Sequence, residues 1–278
     1  MLIRLQKISV SYPIAGHAPK QVLSDLNLDI HPGECVTVCG QTGCGKSTML
    51  RLILGQERPT SGQVLIDGVV LSRPDRNRGY VPQKYALFPD RTVLDNITFG
   101  PEMEEFGLLG RLTPRFHRRR KELRASAFNL LSQMGLHPSD AHKYPDQLSG
   151  GMQQRVAIAQ ALIMHPKILL MDEAFSALDP GTRAEMQHLL RNVQAVTEST
   201  ILFVTHNIEE ALALGTRVIV LGKTSPEAGA KITLDMPVPG QPQPHLLNEM
   251  SARIEESASA GRNALPAEYA SAFRSTDQ

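Results

Sequence analysis

The sequence predicts an α/β protein with a parallel sheet around a phosphate-binding loop. Three observations carry that prediction. Gly40-Gln41-Thr42-Gly43-Cys44-Gly45-Lys46-Ser47 has the spacing G-x-x-x-x-G-K-[ST]. Cys35 to Cys39 before it reads as a short buried strand, and Lys46 to Leu54 after it reads as a helix. Two further apolar strands, Ile168-Leu169-Leu170-Met171 and Ile201-Leu202-Phe203-Val204, each end in a polar residue, with helical patterns between them. That is βαβ logic, which places ligands at strand C-termini.

The other elements follow in order. Leu26, Leu28 and Ile30 alternate, and His31-Pro32-Gly33-Glu34 turns the chain into the strand before the loop, which reads as a hairpin. Ser61 to Ile66 is a short strand closed by a turn at Gly68. From about Pro101 to Pro145 the pattern is helical: Leu123, Ala127, Leu130, Leu131 and Met134 share a face, and Gly135 is the stop. A basic stretch lies within it, Arg111, Arg115, Arg118, Arg119, Arg120, Lys121 and Arg124. It lacks interleaved aromatics beyond Phe116, so it reads as a solvated helix face or a face near anionic headgroups rather than a nucleic-acid site. Val218 to Leu221 and Ile232 to Leu234 read as edge strands. Beyond Met236 the chain is rich in Pro, then in Ala and Ser, and reads as an appendage with one helix around Leu246 to Ser257.

Composition narrows the function. The 278 residues suit one large domain or a domain with a subdomain, and 41% apolar content suffices for a core. A formal charge of +1 gives no global field toward nucleic acid. No apolar run approaches the roughly eighteen residues of a membrane span, and Met1 to Gln6 begins no signal peptide. Cys35, Cys39 and Cys44 lack zinc spacing. They read as two core residues and one permissive loop position, which suits a reducing cytoplasm.

The chemistry follows from residue types at these places. The loop glycines let backbone N–H groups wrap a polyphosphate. Lys46 would reach the β- and γ-phosphates and Ser47 would hold Mg²⁺. Chance alone gives such a spacing in on the order of one per cent of chains this long, and the flanking strand and helix lower that. Asp172-Glu173 closes a strand. Asp172 would hold the metal through water, and Glu173 would orient and deprotonate an attacking water. Taken alone, the pair reads equally as acids favoured at a helix start. His206 follows another strand and would hydrogen-bond a γ-phosphate. Asn207 and Glu210 after it have the N-cap-to-N3 spacing of a capping box, which predicts a helix starting immediately after His206. In Leu148-Ser149-Gly150-Gly151-Met152-Gln153-Gln154-Arg155, Ser149 and two glycines open a helix running to about Ile163, a second anion site. Two chains placed head-to-tail would bring both sites onto one nucleotide.

Leu148 to Arg155 resembles the signature motif of ATP-binding cassette (ABC) ATPases. Gly40 to Thr48 is similar to Walker A, Gln83 in Tyr80-Val81-Pro82-Gln83 to the Q-loop, and Ile168 to Glu173 to Walker B. Ser176-Ala177-Leu178-Asp179 resembles the D-loop, His206 the switch histidine, and Tyr12 in Val10-Ser11-Tyr12-Pro13 the aromatic that stacks on adenine. The resemblance implies the P-loop NTPase ABC-ATPase fold, with a mixed core sheet, an N-terminal antiparallel β-subdomain and an inserted α-helical subdomain at about 95–165. The ATPase domain would span 1–235, with 236–278 a C-terminal extension. It implies ATP bound by Tyr12, Gly40, Gln41, Thr42, Gly43, Cys44, Gly45, Lys46, Ser47, Thr48 and Gln83. Ser149, Gly150, Gly151 and Asp179 would complete the site from a second cassette. Mg²⁺ would sit on Ser47, Gln83 and Asp172, and Glu173, His206 and Lys46 would carry hydrolysis.

Leu87 to Ile97 resembles importer ATPases of the nitrate, sulfonate and taurine group, although Asp90 stands where those often carry Trp. That implies a cassette pair, a homodimer or hetero-pair, on separate membrane permeases. Closing on ATP, it would power uptake delivered by a solute-binding protein. It would lie peripherally on the cytoplasmic face of the inner membrane, without nucleic acid. The alternatives are an exporter or lipid-extraction ATPase, and a soluble ABC ATPase on DNA or ribosomes.

Overall fold

Ile3, Leu5, Ile8 and Val10 are buried while their neighbours are less so, and this alternation builds the first strand. The computed structural model describes residues 1–84, 86–106, 113–225, 227–239, 248–249, 251–252 and 254–255. Arg111 and half of the expected tail helix lie outside the described residues. In chain order the strands are β1 (Ile3–Ile14), β2 (His17–Ile30), β3 (Cys35–Gly40), β4 (Ser61–Ile66), β5 (Val69–Val70), β6 (Arg78–Val81), β7 (Ile168–Asp172), β8 (Thr200–Val204), β9 (Arg217–Gly222) and β10 (Lys231–Pro237). The helices are α1 (Lys46–Leu54), α2 (Val93–Phe106), α3 (Pro114–Gln133), α4 (Gly150–Leu162), α5 (Pro180–Thr197) and α6 (Ile208–Leu214). The chain divides into two compact units: Met1–Pro74 with the segment from Leu202 onward, and Asp75–Ile201.

In the first unit an antiparallel sheet runs β2-β1-β4-β5. Its register sets Ile3 opposite Ile30, Leu5 opposite Leu28, Ile8 opposite Leu26 and Val10 opposite Leu23, so one face is continuously apolar. Each such side chain withdrawn from water contributes about 1.5–3 kcal/mol. Within the same unit β3 runs parallel to β9, and β9 runs antiparallel to β10, which makes a mixed sheet.

Two expectations are corrected here. β2 and β3 form no hairpin, because β2 pairs with β1 and β3 with β9. The burial patterns explain why. β2 hides one face only, whereas all six residues of β3 are buried, so the two strands belong to different sheets. The turn between them, with Gly33 at φ 77°, carries the chain from one sheet to the other. Nor is β9 an edge strand; it lies between β10 and β3, and of the two expected edge strands β10 alone is terminal. Part of the expected appendage joins this unit's core. Met236, Val238 and Ile254 pack with Cys39, Ala211, Leu212, Val218 and Val220, and Ile254 is fully buried.

In the second unit β6 runs parallel to β7. Gly79 leaves little room for a side chain: a Cβ there would stand 3.0 Å from Pro166 Cγ and 3.2 Å from the Ala161 carbonyl oxygen. Buried Asn96 on α2 ties down the preceding loop. Its Oδ1 accepts from Phe88 N–H at 2.7 Å, and its Nδ2 donates to the carbonyls of Phe88, Arg91 and Thr92. The basic stretch on α3 is solvent-exposed at Arg115, Arg118 and Lys121, as expected, and three half-exposed arginines also take acidic partners. Arg119 pairs with Glu105, Arg120 with Asp95 and Glu102, and Arg124 with Asp95, all at 2.8–3.1 Å. The arginines thus clamp α3 to α2, while Arg118 remains 88% exposed. Thr113 caps α3, and Gly135 with φ 67° follows its end, as expected. Among the described residues no helix is long and apolar enough to cross a membrane.

Candidate active site

In the first unit the chain leaves β3 at Gly40, loops over 41–45 and enters α1 at Lys46. A Cβ on Gly40 would stand 2.5 Å from the Leu221 carbonyl oxygen and 2.8 Å from Cys44 Sγ. On Gly45 it would stand 2.6 Å from Leu23 Cδ2, at φ 109°. Gly43 is open around its Cα and is required only by its φ of 79°. Glycine rather than a capping side chain stands before α1, which leaves its N-terminus shaped for an anion. Lys46 is 4% exposed, and its Nζ donates to the carbonyls of Gly40 at 2.8 Å and Gln41 at 3.1 Å. The ammonium is therefore held over the loop by acceptors that a polyphosphate can replace. Gln41, Thr42 and Gly43 are exposed and Ser47 is half-buried. Thr48 is buried, and its hydroxyl accepts from Arg51 Nη2 at 3.0 Å.

Cys44 departs from the expected permissive loop position. It is buried beneath the loop, and burial pushes its thiol pKa up against the lowering influence of Lys46. Cys39, buried on β3, is pushed up to about 12 by burial.

His206 follows β8 and is exposed. The backbone before it is anchored by Thr205 N–H to the Val38 carbonyl at 3.1 Å. Asn207 caps α6, with its Oδ1 accepting from Glu210 N–H at 3.0 Å. The return half of the expected capping box is absent. Asn207 N–H donates instead to Thr205 Oγ1, whose hydroxyl donates to the Glu210 carboxylate. The buried Thr205 intercepts the acid that the spacing assigned to the cap. Tyr12, near the end of β1, donates its hydroxyl to Glu57, a partner that sequence spacing did not signal.

In the second unit β7 delivers Asp172, 8% exposed, with Tyr80 Oη 3.5 Å from its Oδ2. Glu173 follows at φ 46°, a left-handed conformation that turns it off the strand axis. Gln83 Nε2 donates to Glu173 Oε2 at 3.2 Å, so this unit brings those two expected residues together. Ser149 caps α4, accepting from Met152 N–H at 3.3 Å, and Ser149 and Gly150 are exposed. A Cβ on Gly151 would stand 2.7 Å from Thr182 Cγ2. Thr182 in turn donates its N–H to Asp179, the N-cap of α5, at 3.1 Å. The Thr182 hydroxyl, then its N–H, holds the Asp179 carboxyl below its ordinary range. Gly151 and Asp179 therefore share Thr182, which sequence reading missed because it carries no motif of its own.

The ABC transporter family profile matches residues 23–176. The chain is 43% identical over 208 residues to the glycine betaine/proline betaine transport ATP-binding protein ProV of Escherichia coli. That match covers 72% of this chain and 49% of the relative, so it spans about half that protein's length. It is 40% identical over 219 residues to the nitrate import ATP-binding protein NrtD of Synechococcus elongatus, covering 79% of this chain and 76% of the relative. A solved dimeric structure of the ATP-binding cassette MJ0796, in a post-hydrolysis state with ADP and Pi, is similar at TM-score 0.69 and 30% identity. It covers 86% of this chain and 100% of that one.

Proposed function

The chain belongs to the ABC transporter family and is its ATP-binding, ATPase component, and on that footing we propose that it powers an importer of a small solute. The observation that carries the proposal is the phosphate loop. It holds Lys46 over the carbonyls of Gly40 and Gln41 and leaves no space for side chains at positions 40 and 45. Those are the requirements for backbone amides to approach a triphosphate closely. Tyr12 would stack on the base. Gly40 to Thr48 would hold the phosphates, and Ser149, Gly150, Gly151 and Asp179 of a second cassette would complete the site.

Ser47, Asp172 and Gln83 offer hard oxygen donors, the set that Mg²⁺ takes. When bound, Mg²⁺ would neutralise charge on the β- and γ-phosphate oxygens. Glu173 would orient the attacking water and take its proton, and His206 would donate to the γ-phosphate. Until then Gln83 holds the Glu173 carboxylate. The cassette would span 1–235, with helices inserted at about 95–165 and 236–278 an extension. The working form would be a cassette pair on permease subunits, peripheral to the cytoplasmic face of the inner membrane.

For cargo we propose the nitrate, sulfonate and taurine class, supported by the Leu87 to Ile97 segment and the nitrate relative. A betaine relative of similar identity makes a quaternary-ammonium carboxylate the second reading. The test is a pull-down from native membranes with tagged Glu173→Gln chain and ATP. Turnover falls at least about a hundredfold, the scale of losing a general base, while ATP binding and a trapped dimer persist. A small permease with a solute-binding protein supports import, and uptake assays then separate the cargo classes. A permease without a binding protein favours an exporter. Ribosomal or DNA-repair proteins alone overturn the transport reading.

A further inference from the structure

We infer that Glu57 and Arg51 are positioning residues for the Tyr12 ring, and so for the nucleobase, an inference that rests on the nucleotide reading above. Tyr12 donates its hydroxyl to Glu57 Oε1. Arg51 Nε donates to Glu57 Oε2 at 3.1 Å, and Arg51 Nη2 lies 3.5 Å from Tyr12 Oη. The three side chains form a closed cycle in which the phenol is both donor and acceptor. Arg51 Nη2 also donates to Thr48 Oγ1 at 3.0 Å, and Glu57 N–H donates to the Arg51 carbonyl. The cycle therefore belongs to α1, the same helix whose N-terminus faces the phosphate loop.

The strand that carries Tyr12 is tied to the loop as well. Val10 pairs with Leu23, and Val22 and Leu23 occupy the space beside Gly45. Beyond Tyr12, itself half-buried, β1 reaches the exposed tip of its hairpin with β2 at Ile14, so burial alone does not fix the ring. Anchoring the hydroxyl removes that rotational freedom before a base arrives, so less is lost on stacking. The ring is aimed by the helix that receives the phosphates, which couples base and triphosphate recognition through one element.

The test is titration calorimetry of the full chain with Mg²⁺ and either ATP or inorganic tripolyphosphate, which has no base. Glu57→Ala weakens ATP by about three- to tenfold, while tripolyphosphate stays within about twofold. Tyr12→Phe weakens ATP comparably, and adding Glu57→Ala to it costs nothing further. Glu57→Gln keeps an acceptor for the hydroxyl and loses less. A structural role alone would weaken both ligands together. The inference is overturned if Glu57→Ala leaves ATP binding unchanged, if it weakens both ligands alike, or if the two substitutions add in full. If the unaltered chain binds neither ligand, the phosphate-loop reading fails first and takes the inference with it.

Discussion

Gly151→Ala tests the packing of the signature loop. An added Cβ would stand 2.7 Å from Thr182 Cγ2, about 1 Å inside an ordinary carbon contact. Overpacking of this kind costs about 1–3 kcal/mol. Replacing a helical glycine by alanine returns at most about 1 kcal/mol, and less in the first turn. Thr182 has no easy escape. Rotating its methyl away also moves the hydroxyl off the Asp179 carboxylate. The net expectation is a loss of about 1–2 kcal/mol. Urea unfolding of Gly151→Ala, Thr182→Ser and the double variant measures it. Serine keeps the hydroxyl and removes the clashing methyl, so Gly151→Ala should cost almost nothing in that background. An equal cost in both backgrounds, or a net stabilisation by Gly151→Ala, would refute the contact as the reason for the glycine.

Two further outcomes follow from side-chain environments. Because burial raises the Cys44 thiol pKa, alkylation at Cys44 followed by mass spectrometry should keep rising above pH 9, without the plateau an ordinary thiol with pKa about 8.5 approaches. Burial pushes the Asp95 pKa up, but hydrogen bonds from Arg124 and Thr92 and the charges of Arg124 and Arg120 bring it below the ordinary 3.8. A carboxyl whose folded pKa is depressed stabilises fully above its unfolded value and loses that contribution as pH falls through the folded one. Asp95→Asn should therefore cost about 1–2 kcal/mol at pH 7 and flatten the stability profile below about pH 4. An unchanged acid limb in denaturant titrations counts against the clamp.

The local structure around the candidate site that was legible in the chain is that set by neighbouring residues. The spacing from Gly40 to Ser47 sets a loop and a helix start by backbone rules alone. Ser149 and Asn207 cap their helices because a side-chain oxygen reaches an N–H three residues on. What misled was contact between distant residues. The ion pairs of the α3 arginines were not legible because their acidic partners sit on α2, 14 or more residues away. Glu210 looked like a capping acid because nothing in its spacing revealed that Thr205 would be buried beside it. Cys44 looked permissive because its burial, with Sγ against the space at Gly40, is fixed only in the folded chain.

By itself the sequence determined the order of motifs, the strand–loop–helix that fits a triphosphate, and the acidic strand end that fits hydrolysis. Each depends on residues within one turn or one strand, where covalent connection sets the geometry. The tertiary structure decided which sheet β2 and β3 join, how the basic helix is neutralised, and what holds the phenol of Tyr12. Those depend on residues 45 apart for Tyr12 and Glu57, whose meeting is set by the burial of both sheets and α1 rather than by any pattern along the chain.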